Sequence, residues 1–323
     1  MEILEVAAML AELEKLRHSR VLLYVERDRG PFSHQISEED IPPLTACLRQ
    51  HERVERLDLV LHTTGGSIPV AHWLCHLLHT YGKYVSVLVP SKARSAGTLL
   101  CLGAHEIVMG PFAQLGPVDP QMGQRTSSAS GNPSMIAAED IRAFPHMAKT
   151  WFGIEESQQN IHLLQQLCEH IFPTTLTALF RAEEQVKATT EQHLRLHLPK
   201  ASPEQRNAIA EYFLHGCYSH DYIITRDDAK EIGLGVTFPS QQEEDLLWRI
   251  WEACSRDILS PPGLRMPGEQ GQQITALIAS TDFLARCRVS MTSMQDGSEA
   301  EGPQRPARLL MEKQWEIIHA ANT

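Results

Sequence analysis

Two hydrophobic periods alternate along the first 240 residues. Ile3, Val6, Ala7, Leu10, Leu13 and Leu16 recur at helical spacing with Glu and Lys between them, so residues 2–17 read as an amphipathic helix. Arg20–Val25 then reads as a buried strand, and Ser37-Glu38-Glu39-Asp40 as an acidic helix start that tolerates Pro42 and Pro43 only within its first turn. The run Leu57–Thr63 is continuously apolar apart from Asp58 and His62 and ends in Thr64-Gly65-Gly66-Ser67, as expected of a parallel strand covered on both faces. Ser67 caps a helix carrying Val70, Trp73, Leu74, Leu77 and Leu78, which Gly82 ends; Tyr84–Val89 is the next strand. Residues 95–104 are small and apolar and suit a buried helix, and Glu106–Met109 a further short strand. This alternation predicts an α/β fold of right-handed βαβ units around a mainly parallel sheet.

Beyond Gln121 the pattern changes. Gln121–Pro133 is polar and aperiodic and reads as a mobile loop. Helices follow over about 137–152 (capped near Ser134 and kinked or divided at Pro145), 157–171, 175–198 and 202–214. The α/β style then returns with a strand at Tyr222–Ile224, a helix from Thr225 to Gly233 and a strand at Leu234–Phe238. Residues 241–257 form an amphipathic helix, Ser260–Gly263 a linker, and the two apolar patches at 274–289 and 309–318 an accessory hairpin with a disordered tip around 296–303. The expected division is an N-terminal helix (1–19), a core domain (20–240, with the helical region at 137–215) and a C-terminal helix plus hairpin (241–323).

Composition narrows the class without deciding the function. With 42% hydrophobic and 21% charged residues over 323 positions the chain is an ordinary globular protein, and its net charge of −11 argues against a broad nucleic-acid face. The seven cysteines form no CxxC pair, and the expectation is buried reduced thiols in a cytoplasmic protein with no membrane span. The 16 histidines include no HExxH; His72, His76 and His79 share a helix face that reads as surface packing rather than a ligand set, so no metal and no cofactor is expected. There is no GxxxxGK[ST], so any ATP dependence would come from a partner.

The chemistry-bearing candidates are the Gly65-Gly66 turn and Ser95 in Ser91-Lys92-Ala93-Arg94-Ser95-Ala96-Gly97. A serine at a strand-to-helix turn can be a nucleophile if a base and an oxyanion site are at hand, or it can cap its own helix. Glycines let backbone N–H groups approach a carbonyl closely, or serve only as a tight turn. Taken in order, "LDLVLHTTGGSIPVA", "SKARSAGTLLCLGAHEIVMGPFAQLGPVDPQ" and "SHDYIITRDDAKEIGLGV" resemble the Clp-protease/crotonase superfamily, and within it the serine dehydrogenase proteinase family, relatives of signal peptide peptidase A. The resemblance covers roughly residues 20–240, weakly over 137–215. It implies a spiral of ββα units with Ser95 as nucleophile, the N–H groups of Gly66 and Ala96 as oxyanion hole with Gly65 as the alternative donor, a peptide or protein substrate, and a homo-oligomer.

Three departures accompany it. The membrane segment at the start of many relatives has no counterpart here, the helical region is long, and Val118-Asp119-Pro120 stands where Clp subunits carry a histidine. The base is therefore open. His220 is the first candidate, oriented by Asp221 or Asp119; Lys149 is the second, by analogy with serine–lysine dyads; Lys92 and Arg94 suit substrate binding better than proton removal. The expected function is an ATP-independent serine peptidase, with a catalytically degenerate peptide-binding scaffold or a crotonase-type acyl-CoA enzyme as alternatives.

Overall fold

The structure, a computed structural model, describes residues 3–28, 30, 32–124, 134–152, 160–217, 219–259, 273–294 and 308–319. Helix α1 (Ile3–Arg17) leads into β1 (Arg20–Glu26). A turn of 3₁₀ helix at Glu38–Asp40 opens α2 (Ile41–Leu48), with both prolines in its first turn. Strand β2 (Val54–His62) follows, then α3 (Ile68–Tyr81), where Ser67 Oγ accepts the Val70 N–H as a cap, and β3 (Gly82–Val89). The next stretch holds β4 (Lys92–Ala93), α4 (Ala96–Leu102), β5 (Glu106–Met109) and β6 (Gln114–Leu115).

Strands β7 (Gln121–Gln124) and β8 (Ser134–Ala137) pair antiparallel before α5 (Ala138–Phe152), α6 (Asn160–His170), α7 (Pro173–His197) and α8 (Pro203–Glu211). A π-helical turn at Tyr212–Gly216 continues α8. The chain then forms α9 (Arg226–Ile232), capped by Thr225 and stopped by left-handed Gly233, β9 (Val236–Thr237) and α10 (Gln241–Leu259). Strands β10 (Gln273–Ala279), β11 (Phe283–Met294) and β12 (Arg308–His319) complete it.

One eight-stranded sheet runs in the order β12-β11-β10-β1-β2-β3-β5-β9. From β1 to β9 every pairing is parallel; from β1 to β12 every pairing is antiparallel. Alternation along β1 explains why its sequence is apolar throughout. Leu22 and Tyr24 face the core under α2, α3 and α4, while Val21, Leu23 and Val25 face the opposite core with α1 and α10. The parallel half of the sheet is thus the predicted α/β unit, covered on both sides.

Three expectations need correction. Residues 121–124 are a strand rather than loop, and Ser134 lies in the strand paired with them rather than capping α5; 125–133 fall outside the described residues. Of the two outcomes expected at Pro145, division does not occur: α5 runs through it from Ala138 to Phe152. Tyr222–Ile224 is not a strand: Ile224 alone forms a bridge, to Leu115. The C-terminal patches are three strands, and β10 binds the exposed edge of β1, so the hairpin extends the main sheet. The expected tip at 296–303 and linker at 260–263 lie outside the described residues.

Candidate active site

The site is assembled where β2 and β4 end side by side. Thr63 N–H donates to Lys92 O at 2.9 Å and Arg94 N–H to Thr63 O at 3.2 Å, so the chain leaving β2 and the chain entering α4 are in register. Ser95 then heads α4 with φ 50° and ψ −118°. An ordinary N-cap residue has extended backbone and a side chain bonded to the first turn; Ser95 has neither, for its hydroxyl makes no capping bond. Instead Gly97 N–H closes the turn on Arg94 O at 2.8 Å and Leu99 N–H reaches Ser95 O at 3.1 Å. A positive φ at a residue with a Cβ is strained, and such strain persists where the surroundings over-determine it. Here they do: Thr98 Oγ1 bonds Ala93 O at 2.8 Å and accepts the Gly116 N–H at 3.0 Å, pinning the first turn of α4 to the chain on either side.

Gly65 and Gly66 lie directly against this turn, with φ of 115° and 141°. A Cβ on Gly65 would fall 2.6 Å from Ser95 Cβ and 3.1 Å from its Oγ; one on Gly66 would fall 2.4 Å from Ile36 O. The Gly65 N–H donates to Thr63 Oγ1 at 2.9 Å and its carbonyl accepts the Ile36 N–H at 2.9 Å; Ser67 N–H bonds Ile36 O at 2.8 Å. That bridge leaves out the Gly66 N–H, and the Ala96 N–H, at the first position of α4, has no acceptor within the helix.

The segment predicted to carry the base comes to the same place by a different route. Leu115 and Ile224 exchange two backbone hydrogen bonds at 2.9 and 3.1 Å, and a Cβ on Gly116 would touch Arg94 Cγ at 3.3 Å and Tyr222 O at 3.6 Å. The turn before Ser95 and the turn after His220 are therefore neighbours across Gly116. His220 Nδ1 is hydrogen-bonded to buried Asp119 Oδ1. A carboxylate only accepts, so Nδ1 carries the proton and Nε2 is the basic nitrogen. That hydrogen bond raises the imidazole's pKa above its ordinary value against the opposing effect of burial; the charges of Asp119 and Asp221 add to the rise and Arg94 subtracts from it.

Of the two orienting carboxylates weighed from sequence, Asp119 holds the ring, while exposed Asp221 bonds through its own N–H to Ser219 Oγ at 3.2 Å. Lys149 is exposed on α5, which packs on β8 and α7. Lys92 pairs with Asp28, and Arg94 Nη2 donates to Gln114 Oε1 at 3.0 Å. His72 and His79, two of the three helix-face histidines, are structural: His72 Nδ1 meets His193 Nε2 at 3.0 Å and His79 Nε2 meets Gly103 O at 2.7 Å.

A non-capping serine at positive φ thus lies against a glycine pair that also has positive φ. Residues 2–138 match the family model of the ClpP-like SDH-type serine proteinases. The match to this proteinase family includes both glycines, Ser95 and Asp119, and stops before Lys149, His220 and Asp221. Two uncharacterized proteins of Methanocaldococcus jannaschii are similar to the chain. One is 27% identical over 76% of this chain and 77% of its own length; the other is 26% identical over 70% and 69%. Among solved structures, a mutant of a membrane-bound stomatin-specific protease shares 17% identity over 65% of this chain and 77% of its own, with a TM-score of 0.37. A mutant ClpP1 from Listeria monocytogenes shares 12% over 72% and 99%, with a TM-score of 0.38. No helix among the described residues is long and apolar enough to cross a membrane.

Sequence reasoning missed a group behind the glycine turn. Glu26, His34 and Asp40 are fully buried and lie within 4.8 Å of one another. Glu26 ends an apolar strand and Asp40 an acidic helix start, so neither stands out locally; the nearest signal was a carboxylate at the end of an otherwise apolar β1.

Proposed function

We propose that the protein is an ATP-independent serine peptidase in which Ser95 forms an acyl-enzyme. Ser95 Oγ attacks the peptide carbonyl as His220 Nε2 takes its proton; Asp119 fixes the imidazole tautomer and stabilises the cation that results. The Gly66 and Ala96 N–H groups receive the oxyanion, the Gly65 N–H being already given to Thr63. His220 returns the proton to the leaving amine, and water, deprotonated by the same nitrogen, releases the acyl group. The observation that carries the reading is Ser95 itself: a serine with positive φ at a strand-to-helix turn, whose hydroxyl does not cap its helix. Lys149 stands exposed on α5, and nothing among the described residues around it favours it over His220, whose ring a buried carboxylate holds. The exposed rings of Trp151, Phe172 and Phe180 on and beside α5 and α7 favour contact of these helices with a second copy of the chain.

The test is labelling with a fluorophosphonate probe alongside hydrolysis of a casein-type substrate. The wild type should label at Ser95 and Ser95→Ala should not, while His220→Ala should slow labelling by roughly 10³-fold or more. A folded wild type that neither labels nor cleaves would leave a peptide-binding scaffold as the reading, and turnover of an acyl-CoA without labelling would favour crotonase chemistry.

A further inference from the structure

Behind the glycine turn, hydrogen bonds join two arms that both end on the Gly65–Ser67 turn. In the first, the Gly65 N–H donates to Thr63 Oγ1, the Thr63 hydroxyl donates to Glu26 Oε2, and Glu26 Oε1 lies 2.6 Å from Tyr24 Oη, which lies 2.8 Å from Asp40 Oδ2. In the second, Asp40 accepts the Ser37 N–H at 2.7 Å and meets His34 Nε2 at 2.8 Å, bracketing Ile36, whose backbone bridges Gly65 and Ser67. Trp315 of β12 donates to Asp40 Oδ1 at 3.1 Å and Thr275 of β10 meets His34 Nδ1 at 3.3 Å, so the C-terminal strands close the cluster.

Counting hydrogens gives this chain a direction. Tyr24 Oη carries one hydrogen yet stands between two carboxyl groups, so one of them must donate to it. Asp40 already receives the N–H groups of Ser37 and Trp315 and is bonded to His34, whereas among the described residues Glu26 receives only the Thr63 hydroxyl besides its contact with Tyr24. Glu26 is therefore the acid: its O–H donates to Tyr24, Tyr24 donates to Asp40, and its other oxygen accepts from Thr63. Burial points the same way, pushing the Glu26 pKa up to about 8 against the lowering effect of Thr63, Tyr24 and Lys313; Asp40 raises it further. The ligand atoms of Glu26, His34 and Asp40 lie within 4.8 Å of one another, and their donors and acceptors match without an ion.

We propose that Glu26, held as a carboxylic acid, is a positioning residue that fixes the oxyanion turn through Thr63 and couples it to the C-terminal strands. The inference rests on the Ser95 reading above for its catalytic half. Thr63 is suited to transmit the constraint because it touches both turns: its hydroxyl holds Gly65, and its Cγ2 stands 2.4 Å from where a Cβ on Gly97 would be. Loss of the Thr63 hydroxyl would leave the Gly65 amide without its acceptor, and loss of Glu26 would leave that hydroxyl without the group that holds it; either loosens the peptide that presents the Gly66 N–H.

The experiment compares Glu26→Gln, whose amide can donate to Tyr24 and accept from Thr63 as the acid does, with Glu26→Leu, which can do neither. Thr63→Val is the second variant in case Glu26→Leu fails to fold. Two readouts are taken: the fluorophosphonate labelling rate, and amide hydrogen exchange of the 61–67 peptide by mass spectrometry. Glu26→Gln should label and exchange much as the wild type does, and its labelling should not decline as pH rises through 8, where the wild type's should. Glu26→Leu or Thr63→Val should label at least ~10-fold more slowly with faster exchange, short of the roughly 100- to 1,000-fold that losing an oxyanion donor costs. Equal effects of Gln and Leu at Glu26, or a normal labelling rate in folded Thr63→Val, would overturn the proposal. Absence of labelling in the wild type would instead sink the Ser95 reading and the catalytic half of this one, while exchange would still decide the hydrogen-bond chain.

Discussion

Replacing Gly65 with alanine tests the closeness of the two turns more directly than any change at Ser95. The new methyl would stand 2.6 Å from Ser95 Cβ, 2.9 Å from Arg94 O and 3.1 Å from Ser95 Oγ, where carbon atoms ordinarily approach to about 3.5–4.0 Å. Its backbone would be held at φ 115°, a conformation that costs a residue with a Cβ on the order of 1–3 kcal/mol. Overpacking into a buried turn adds roughly 1–3 kcal/mol. The expected loss of stability is therefore ~2–6 kcal/mol. A retreat of Ser95 by about 1 Å is enough to cost ~100-fold in rate.

The clash can be separated from the backbone strain by a double-mutant cycle in urea. Ser95→Gly removes two of the three contacting atoms, so Gly65→Ala should cost at least about 1 kcal/mol less in that background. Relief of the positive φ at residue 95 itself is common to both arms and cancels. Additivity within ~0.5 kcal/mol would refute the packing of the Gly65 turn on Ser95. So would a loss below about 1 kcal/mol for Gly65→Ala alone.

Two further outcomes follow from charge. His220 must be neutral to act as base, and Asp119 raises its pKa, so the labelling rate should climb through an inflection above the ordinary imidazole value. Asp119→Asn should slow labelling and move that inflection to lower pH; an unmoved or higher inflection would count against Asp119 as the partner. His193 is buried with Nδ1–H on Leu99 O at 2.8 Å and Nε2 on His72, and burial pushes its pKa down to about 4. The unfolded chain takes up that proton below pH ~6.5 and the folded chain does not, so stability should fall as pH drops from there, by about 3 kcal/mol near pH 4. Urea midpoints at pH 7 and 4.5 check this: His193→Gln should show a visibly smaller drop than the wild type, and an equal drop would refute it.

What the sequence determined is local. Caps at Ser67 and Thr225, stops at Gly82 and Gly233, and the apolar runs of β1, β2 and β3 were legible because each depends on residues within a few positions. The same holds for the order of the glycine and serine turns, since a parallel sheet brings successive strand ends to one edge. Tertiary structure decided what depends on residues far apart. The partner of His220 is Asp119, 101 positions away, rather than adjacent Asp221, whose side chain is exposed. The strand seen at β7 exists only because Ser134–Ala137 pairs with it, and β10 to β12 belong to the main sheet only because β1 offers a free edge.

The Gly65 amide is withdrawn from the candidate oxyanion donors by Thr63, two residues away, and the hydroxyl that withdraws it is held in turn by a carboxyl from a different strand. Periodicity records which face a side chain takes, and Glu26, His34 and Asp40 break no period. Their burial is sustained by hydrogen bonds between segments 26, 34–40, 275 and 315, which only the closed sheet brings together.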